Sequence, residues 1–97
     1  MEITGKIHPT KKEFLYTLRF PDEDVFKSQQ EKDLRLHSIN RAMRLGNVVK
    51  NKVRIYFKDS LDRVIFVYTT VWGVTKNDVI LKKGVTLPIK RIIQVDG

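Results

Sequence analysis

Cysteine is absent from this chain of 97 residues. Disulfide bonds and zinc sites built on thiolates are therefore excluded. This usage fits a cytosolic protein, and we expect a cytoplasmic location. The length suggests one domain with a modest hydrophobic core.

Long hydrophobic runs are also missing. The longest apolar stretches, such as residues 64–68, span only a few positions, whereas a membrane-spanning helix needs about 20 apolar residues. Residues 1–20 contain Pro9 and scattered charges, which do not fit a signal peptide. We therefore expect no membrane segment and no export signal.

Residues that carry catalysis or bind metals are few. His8 and His37 have no carboxylate or second histidine at ligand spacing. No nucleophile-elbow motif surrounds the serines, and no glycine-rich phosphate loop is present. Asp59 and Asp62 fit a turn better than acid–base catalysis. We predict a protein that is not an enzyme and uses no cofactor or metal.

Acidic residues are absent from residues 34–58, although the net charge of the whole chain is +8. Residues 1–30 are neutral overall, so residues 31–97 carry the entire excess of positive charge. The cations of the acid-free stretch are Arg35, Arg41, Arg44, Lys50, Lys52, Arg54 and Lys58. Such asymmetry favours a polyanionic partner, and we expect contact with RNA or DNA.

Residues 32–45, KDLRLHSINRAMRL, predict an amphipathic helix. At 100° per residue, Leu36, Ile39 and Met43 share one apolar stripe. Gly46 follows at the position where a left-handed cap ends many helices. The helix is therefore expected to end at residue 45.

Five short strands are predicted after the helix. They cover residues 52–58, 63–74, 79–83, 85–88 and 93–95, with a 3₁₀ turn at 89–92 that begins after Pro88. Alternation in the first strand places Val53, Ile55 and Phe57 inside. The long second strand is expected to bend near Gly73. Such strands favour a small closed or nearly closed sheet, because an open sheet would leave long unpaired edges.

The N-terminal thirty residues allow two interpretations. The stretch EFLYTLRF alternates as a strand does, with Phe14, Tyr16, Leu18 and Phe20 on one face. Thr10 and Glu13 have the spacing of a capping box, which favours a helix start. We favour the strand and treat residues 1–30 as an extension that ends in a linker.

The order of helix, long bent strand, proline-started 3₁₀ turn and final strand resembles the SH3-like and Sm-like small barrels. The segment VTLPIKRIIQV is similar to the barrel endings of those families. The segments INRAMRLGNV and TTVWGVTKNDVILKKGVTLPIKRI also resemble a group of short uncharacterised bacterial proteins. The resemblance implies an α+β, mostly β fold, with one amphipathic helix and a five-stranded SH3-like/Sm-like barrel in residues 31–97.

Sm-like families often bind RNA through basic loops and aromatic stacking near the helix. The resemblance implies that Arg41, Arg44 and either Lys82 or Lys83 occupy comparable places. Small barrels also serve as adaptors, so the alternative is a protein that recognises an acidic protein surface. A third alternative is an oligomer built by strand pairing at the barrel edges.

The strongest binding signal in the sequence is one strand face. Arg54, Tyr56 and Lys58 would project together, as on surfaces that stack bases and neutralise phosphates; alternatively, Tyr56 packs on a neighbouring strand. Trp72 is expected in the core or against the helix. The residues predicted to bind nucleic acid are Arg41, Arg44, Lys50, Lys52, Arg54, Tyr56, Lys58, Lys82 and Lys83.

Two pairs of these residues have competing structural roles. Arg41 and Arg44, in the last turn of the predicted helix, suit the negative end of the helix dipole. Lys82 and Lys83, in a predicted hairpin turn, suit simple solvation.

Overall fold

The computed structural model describes residues 5–97, which form one α-helix, seven strands and three short 3₁₀ helices. The α-helix and strands are β1 (Ile7–Thr10), α1 (Gln29–Val48), β2 (Val53–Lys58), β3 (Val64–Thr69), β4 (Val71–Val74), β5 (Asp78–Leu81), β6 (Thr86–Pro88) and β7 (Ile92–Asp96). The 3₁₀ helices are Lys12–Thr17, Lys82–Gly84 and Ile89–Arg91. None of the helices in this range combines the length and apolar character that crossing a membrane requires.

The strands lie in two sheets. The first sheet has the order β1-β3-β2-β7 and the second has the order β4-β5-β6. β1 pairs with β3 in parallel, and the other ladders are antiparallel. The predicted α+β, mostly β class is confirmed. Residues 5–97 contain no closed barrel, so the SH3-like/Sm-like assignment stays a prediction.

The predicted long strand passes from one sheet into the other. β3 ends at Thr69 and β4 begins at Val71, so a single residue, Thr70, separates them. The pairing of β4 with β5 slips between Val71 and Gly73, which confirms a bulge beside Gly73. The chain therefore bends at Thr70, slightly earlier than the glycine predicts.

The hydrophobic core lies between the sheets and α1. Val53, Ile55 and Phe57 are buried as the alternation predicts. They pack with side chains from the first 3₁₀ helix, from α1 and from β3 to β7: Leu15, Ile39, Ala42, Ile65, Val67, Val71, Val79, Leu81, Leu87 and Ile92. Burial of each large aliphatic or aromatic side chain contributes about 1.5–3 kcal/mol relative to exposure.

The helix α1 is longer than the sequence predicts, and its buried stripe is rotated. It begins after Ser28, whose hydroxyl accepts a hydrogen bond from the Glu31 N–H at 3.3 Å. The buried positions are Arg35, Ile39, Ala42 and Gly46. Leu36 is 44% exposed, so the predicted Leu36 stripe is wrong at that residue. A buried arginine takes its place because Asp24 neutralises the guanidinium.

The end of α1 also differs from the prediction. Gly46 lies inside the helix, where a Cβ would overlap the carbonyl oxygen of Val71 on β4. The absence of a side chain therefore allows the helix to approach the sheet. Lys50, with φ of +54°, adopts the left-handed conformation that was predicted for Gly46.

The strand predicted for residues 13–20 is wrong. Residues Lys12–Thr17 form a 3₁₀ helix, and Lys11, rather than Thr10, precedes it without a side-chain cap. Phe14 and Tyr16 are 54% and 85% exposed, and Leu15 between them is buried. The aromatic alternation misled because those aromatics do not form a buried face.

Two buried arginines attach the N-terminal segment to the rest of the fold. Arg35 donates to both carboxylate oxygens of Asp24, at 2.8 and 2.7 Å, and to the Ile92 carbonyl. Arg91 donates to the carbonyls of Glu23, Lys58 and Asp59. These bonds connect Glu23 and Asp24 to the 3₁₀ helix Ile89–Arg91 and to α1, and the Val25 N–H also donates to the Lys90 carbonyl at 2.9 Å. The division at residue 30 stays a prediction.

Candidate nucleic-acid interface

An open groove lies where the end of α1 meets the bend between the sheets. Its volume is about 570 Å³. The lining residues define what we call the Trp72 groove: Gly46, Asn47, Lys50, Lys52, Thr70, Trp72 and Lys82. Residues from three separate parts of the sequence, 46–52, 70–72 and 82, thus meet at one surface.

Backbone contacts bring these segments together. Gly46 allows α1 to approach β4, as described above. The Lys82 N–H donates to the Thr70 carbonyl at 3.0 Å, which holds the end of β5 against the bend. The left-handed Lys50 ends the helix, and the Asn51 N–H returns to the Leu45 carbonyl at 3.4 Å. The positions of the three lysines therefore follow from the chain path.

Trp72 lies on the solvent side of the bent strand. It is 50% exposed, so of its two predicted places the core is wrong. Trp72 shares the groove with Gly46 and Asn47 of α1, and its packing against the helix stays a prediction. Tyr68 on β3 is exposed as well, and the opposite face of β3, with Ile65 and Val67, points into the core. A strand that is apolar on both faces does not reveal which face is buried.

Tyr68 is a second exposed aromatic side chain beside the groove. Its side chain is 58% exposed. The Lys52 Nζ lies 5.7 Å from the centre of its ring and the Arg54 Cζ lies 6.0 Å from it. Arg54 stands directly opposite Tyr68 in the β2–β3 register. Lys52 therefore belongs both to the Trp72 groove and to the cation–aromatic cluster of Arg54 and Tyr68.

Within the part of the chain that the structure describes, the cations of this surface have no carboxylate partner. Among the residues that the structure describes, no ion pair involves Lys50, Lys52, Arg54 or Lys82. Asp96 is opposite Arg54 in the β2–β7 register, yet it forms no ion pair with it. The positive charge is thus available to an outside anion.

The other predicted site residues lie elsewhere. Arg41 lines a smaller pocket of about 100 Å³ with Leu45 and Val95, and Arg44 is exposed on α1. Lys83, with φ of +68°, is exposed beside the groove residue Lys82. The structure brings Lys50, Lys52 and Lys82 together and places Arg54 next to them.

Tyr56 and Lys58 lie further along β2. Tyr56 is half-buried and its ring centre lies 5.6 Å from that of Phe66, which matches the alternative of packing on a neighbouring strand. Lys58 is six residues from Lys52, a distance of about 20 Å along an extended strand. The roles of both residues in binding stay predictions.

The buried carboxylate Asp59 has a structural environment. It accepts hydrogen bonds from the backbone N–H groups of Leu61 and Arg63, and from the Arg63 guanidinium at 2.8 and 2.6 Å. Burial would raise the pKa of Asp59, but these donors outweigh burial and lower it. This arrangement fits the predicted turn at residues 59–62.

Sequence reasoning missed Trp72 and Tyr68 as surface residues. The signal that was available is the alternation along the strand. Residues 65 and 67 on one face are aliphatic and more readily buried than the aromatic residues on the other face.

Comparison with protein-family models, with curated proteins and with solved structures finds no match to this chain.

Proposed function

We propose that this protein is a non-enzymatic module that binds RNA or DNA through its phosphates. The observation that carries the proposal is the cluster of Lys50, Lys52, Arg54 and Lys82, four cations that form no ion pair within residues 5–97. Phosphate oxygens satisfy such cations, and release of counterions from the nucleic acid drives the association. The fold proposed to present them is a small SH3-like/Sm-like barrel.

Charge placement supports a polyanion over a small anionic ligand. The four cations come from the α1–β2 loop, from β2 and from the 3₁₀ helix that follows β5, and three of them, Lys50, Lys52 and Lys82, line one open groove. A repeating chain of phosphates matches such a surface better than a single phosphate does.

The test is a fluorescence-polarisation titration with mixed-sequence oligonucleotides at about 50 and 200 mM salt. We expect binding that weakens with salt, with a log–log slope of about −3 if four phosphates of a single strand are neutralised. No binding at the lower salt concentration would refute the proposal.

A matched pair of variants locates the contact. Lys52→Gln and Lys82→Gln each remove a charge from the Trp72 groove, and each is expected to reduce the slope by about 0.7 to 0.9. Lys76→Gln removes an exposed charge from the turn before β5, outside the groove, and is the control. Equal losses for all three variants would indicate a diffuse charge effect.

The alternative function is an adaptor for an acidic protein surface. It predicts weak oligonucleotide binding whose affinity is unchanged by Lys52→Gln, together with a discrete protein partner. The same titration therefore separates the two functions.

A further inference from the structure

We infer that the Trp72 groove selects unpaired nucleic acid, because Trp72 stacks on a base whose face is free. This inference rests on the proposed function and names the form of nucleic acid that the groove takes. The four cations alone do not distinguish a duplex from a single strand. The exposed aromatic side chains provide that distinction.

Trp72 is accessible to a ligand from the solvent. Half of its side chain is exposed, and it borders a groove of about 570 Å³. That volume lies within the range of about 300–1,000 Å³ typical of pockets that receive small planar or apolar ligands. A nucleobase that enters the groove meets the indole of Trp72.

Positive charges lie around the exposed aromatic side chains. Lys52 lines the groove with Trp72 and lies 5.7 Å from the centre of the Tyr68 ring. A phosphate bound by Lys52 would thus link two consecutive nucleotides of the bound strand, one with its base at Trp72 and the next at Tyr68. Alternating cations and aromatic faces are the arrangement by which proteins hold single strands without strong sequence preference.

Duplex and single-stranded nucleic acids differ in whether the faces of their bases are accessible. In a duplex, the faces of internal bases are covered by their stacked neighbours, so an indole meets only phosphates and sugars. In a single strand the base faces are free, and each stacked base strengthens binding. Stacking therefore adds affinity for unpaired RNA or DNA and none for the interior of a duplex.

The experiment uses the chain's single tryptophan as its reporter. The unmodified protein is titrated at low salt with RNA and DNA oligonucleotides of one length, each as a single strand and as a duplex without overhangs. Tryptophan emission and polarisation of a labelled strand are recorded together. We expect single strands of either sugar to bind more tightly and to quench Trp72, whereas the duplexes leave its emission nearly unchanged.

A substitution then measures the contribution of the ring. Trp72→Leu keeps an apolar side chain but removes the aromatic face, and it is expected to weaken single-strand binding by between about fivefold and 100-fold. Duplex affinity should stay within about twofold. Phe14→Leu removes an exposed aromatic outside the groove and is the matched control.

The outcomes separate this inference from the proposed function. Equal affinity for both forms, or single-strand binding without quenching, overturns the stacking inference and leaves the phosphate-binding function intact. Absence of binding by any oligonucleotide overturns both. If Trp72→Leu does not fold, emission from the unmodified protein still decides the question.

Discussion

At the scale of single residues, Lys50 combines a backbone role with an exposed charge. Its φ of +54° is in the left-handed region, where a side chain costs about 1–2 kcal/mol. Glycine adopts that conformation without this cost, although it loses more entropy on folding. The identity of residue 50 therefore affects stability and charge through different mechanisms.

Substitution at residue 50 separates the two roles. Lys50→Gly should raise the free energy of unfolding by about 0.5–1 kcal/mol, because it relieves the left-handed backbone. Lys50→Ala removes the same charge and keeps the strain. Urea unfolding compares the stabilities, and oligonucleotide titration should show equal losses of affinity. If only the glycine variant loses affinity, the backbone conformation rather than the charge matters for binding.

Among the glycines that the structure describes, Gly46 leaves the least room for a side chain. A Cβ there would overlap the Val71 carbonyl oxygen and meet the Thr70 side chain at 3.0 Å. Gly46→Ala should therefore lower the free energy of unfolding by about 1–3 kcal/mol despite the better helix propensity of alanine. Gly73→Ala is the matched change, since its Cβ finds ordinary contact with Ile80 at 3.7 Å. Comparable thermal midpoints for the two variants would contradict the close approach of α1 to β4.

At the scale of elements, buried ion pairs determine how the helix and turns are held. Arg35 rotates the buried stripe of α1, and its guanidinium also lies over the Phe26 ring at 4.9 Å. Burial would raise the pKa of Asp24, but hydrogen bonds from Arg35 and the Phe26 N–H outweigh it and lower that pKa. Asp24 and Asp59 therefore favour the folded state in their ionised forms.

Acid should weaken the fold through these two carboxylates. Their folded pKa values lie below the ordinary 3.8, so the unfolded chain binds protons more readily. The stabilisation is complete at pH values well above 3.8 and is lost as the pH falls through the lower folded pKa values. Urea unfolding between about pH 6 and pH 2 measures this loss.

Two variants assign the acid sensitivity. Asp59→Asn should destabilise the protein near neutral pH by about 1–3 kcal/mol and should flatten the pH profile, because buried donors lose their charged acceptor. Asp22→Asn changes a fully exposed carboxylate that pairs with Lys90 at 3.2 Å, and should change stability little. A steep acid transition that survives in Asp59→Asn would assign the loss to Asp24 or to other groups.

At the scale of the whole molecule, the basic residues of the sequence separate into structural and surface groups. Arg35 and Arg91 are buried and bind carbonyls or carboxylates of the fold. Arg41 lies in a pocket against β7, away from the Trp72 groove. The high net charge therefore does not form one uniform surface.

This separation predicts which cations matter for binding. The double variant Lys52→Ala/Lys82→Ala should lose more single-strand affinity than Arg41→Ala/Arg44→Ala, although both remove two positive charges. Polarisation titrations at one low salt concentration, with melting temperatures as a stability control, measure the difference. A larger loss for the arginine pair would move the interface to the exposed face of α1.

Short-range patterns determined much of the fold. The period-two alternation of residues 53–58, the polar turns at 59–62 and 75–78 and the proline-started 3₁₀ helix at Ile89–Arg91 are local, and each was predictable. The prediction was wrong where local preference and tertiary contact disagree. Residues 12–17 and the stripe of α1 depend on distant partners, which no local pattern specifies.

The sequence by itself determined the fold class, α+β and mostly β, and the existence of an acid-free basic stretch. Tertiary structure alone decided which cations are free, because Asp24 and backbone carbonyls far away in sequence bind Arg35 and Arg91. It also decided the face of Trp72. A bent strand with apolar residues on both sides has two possible inner faces, and only packing against the core selects one.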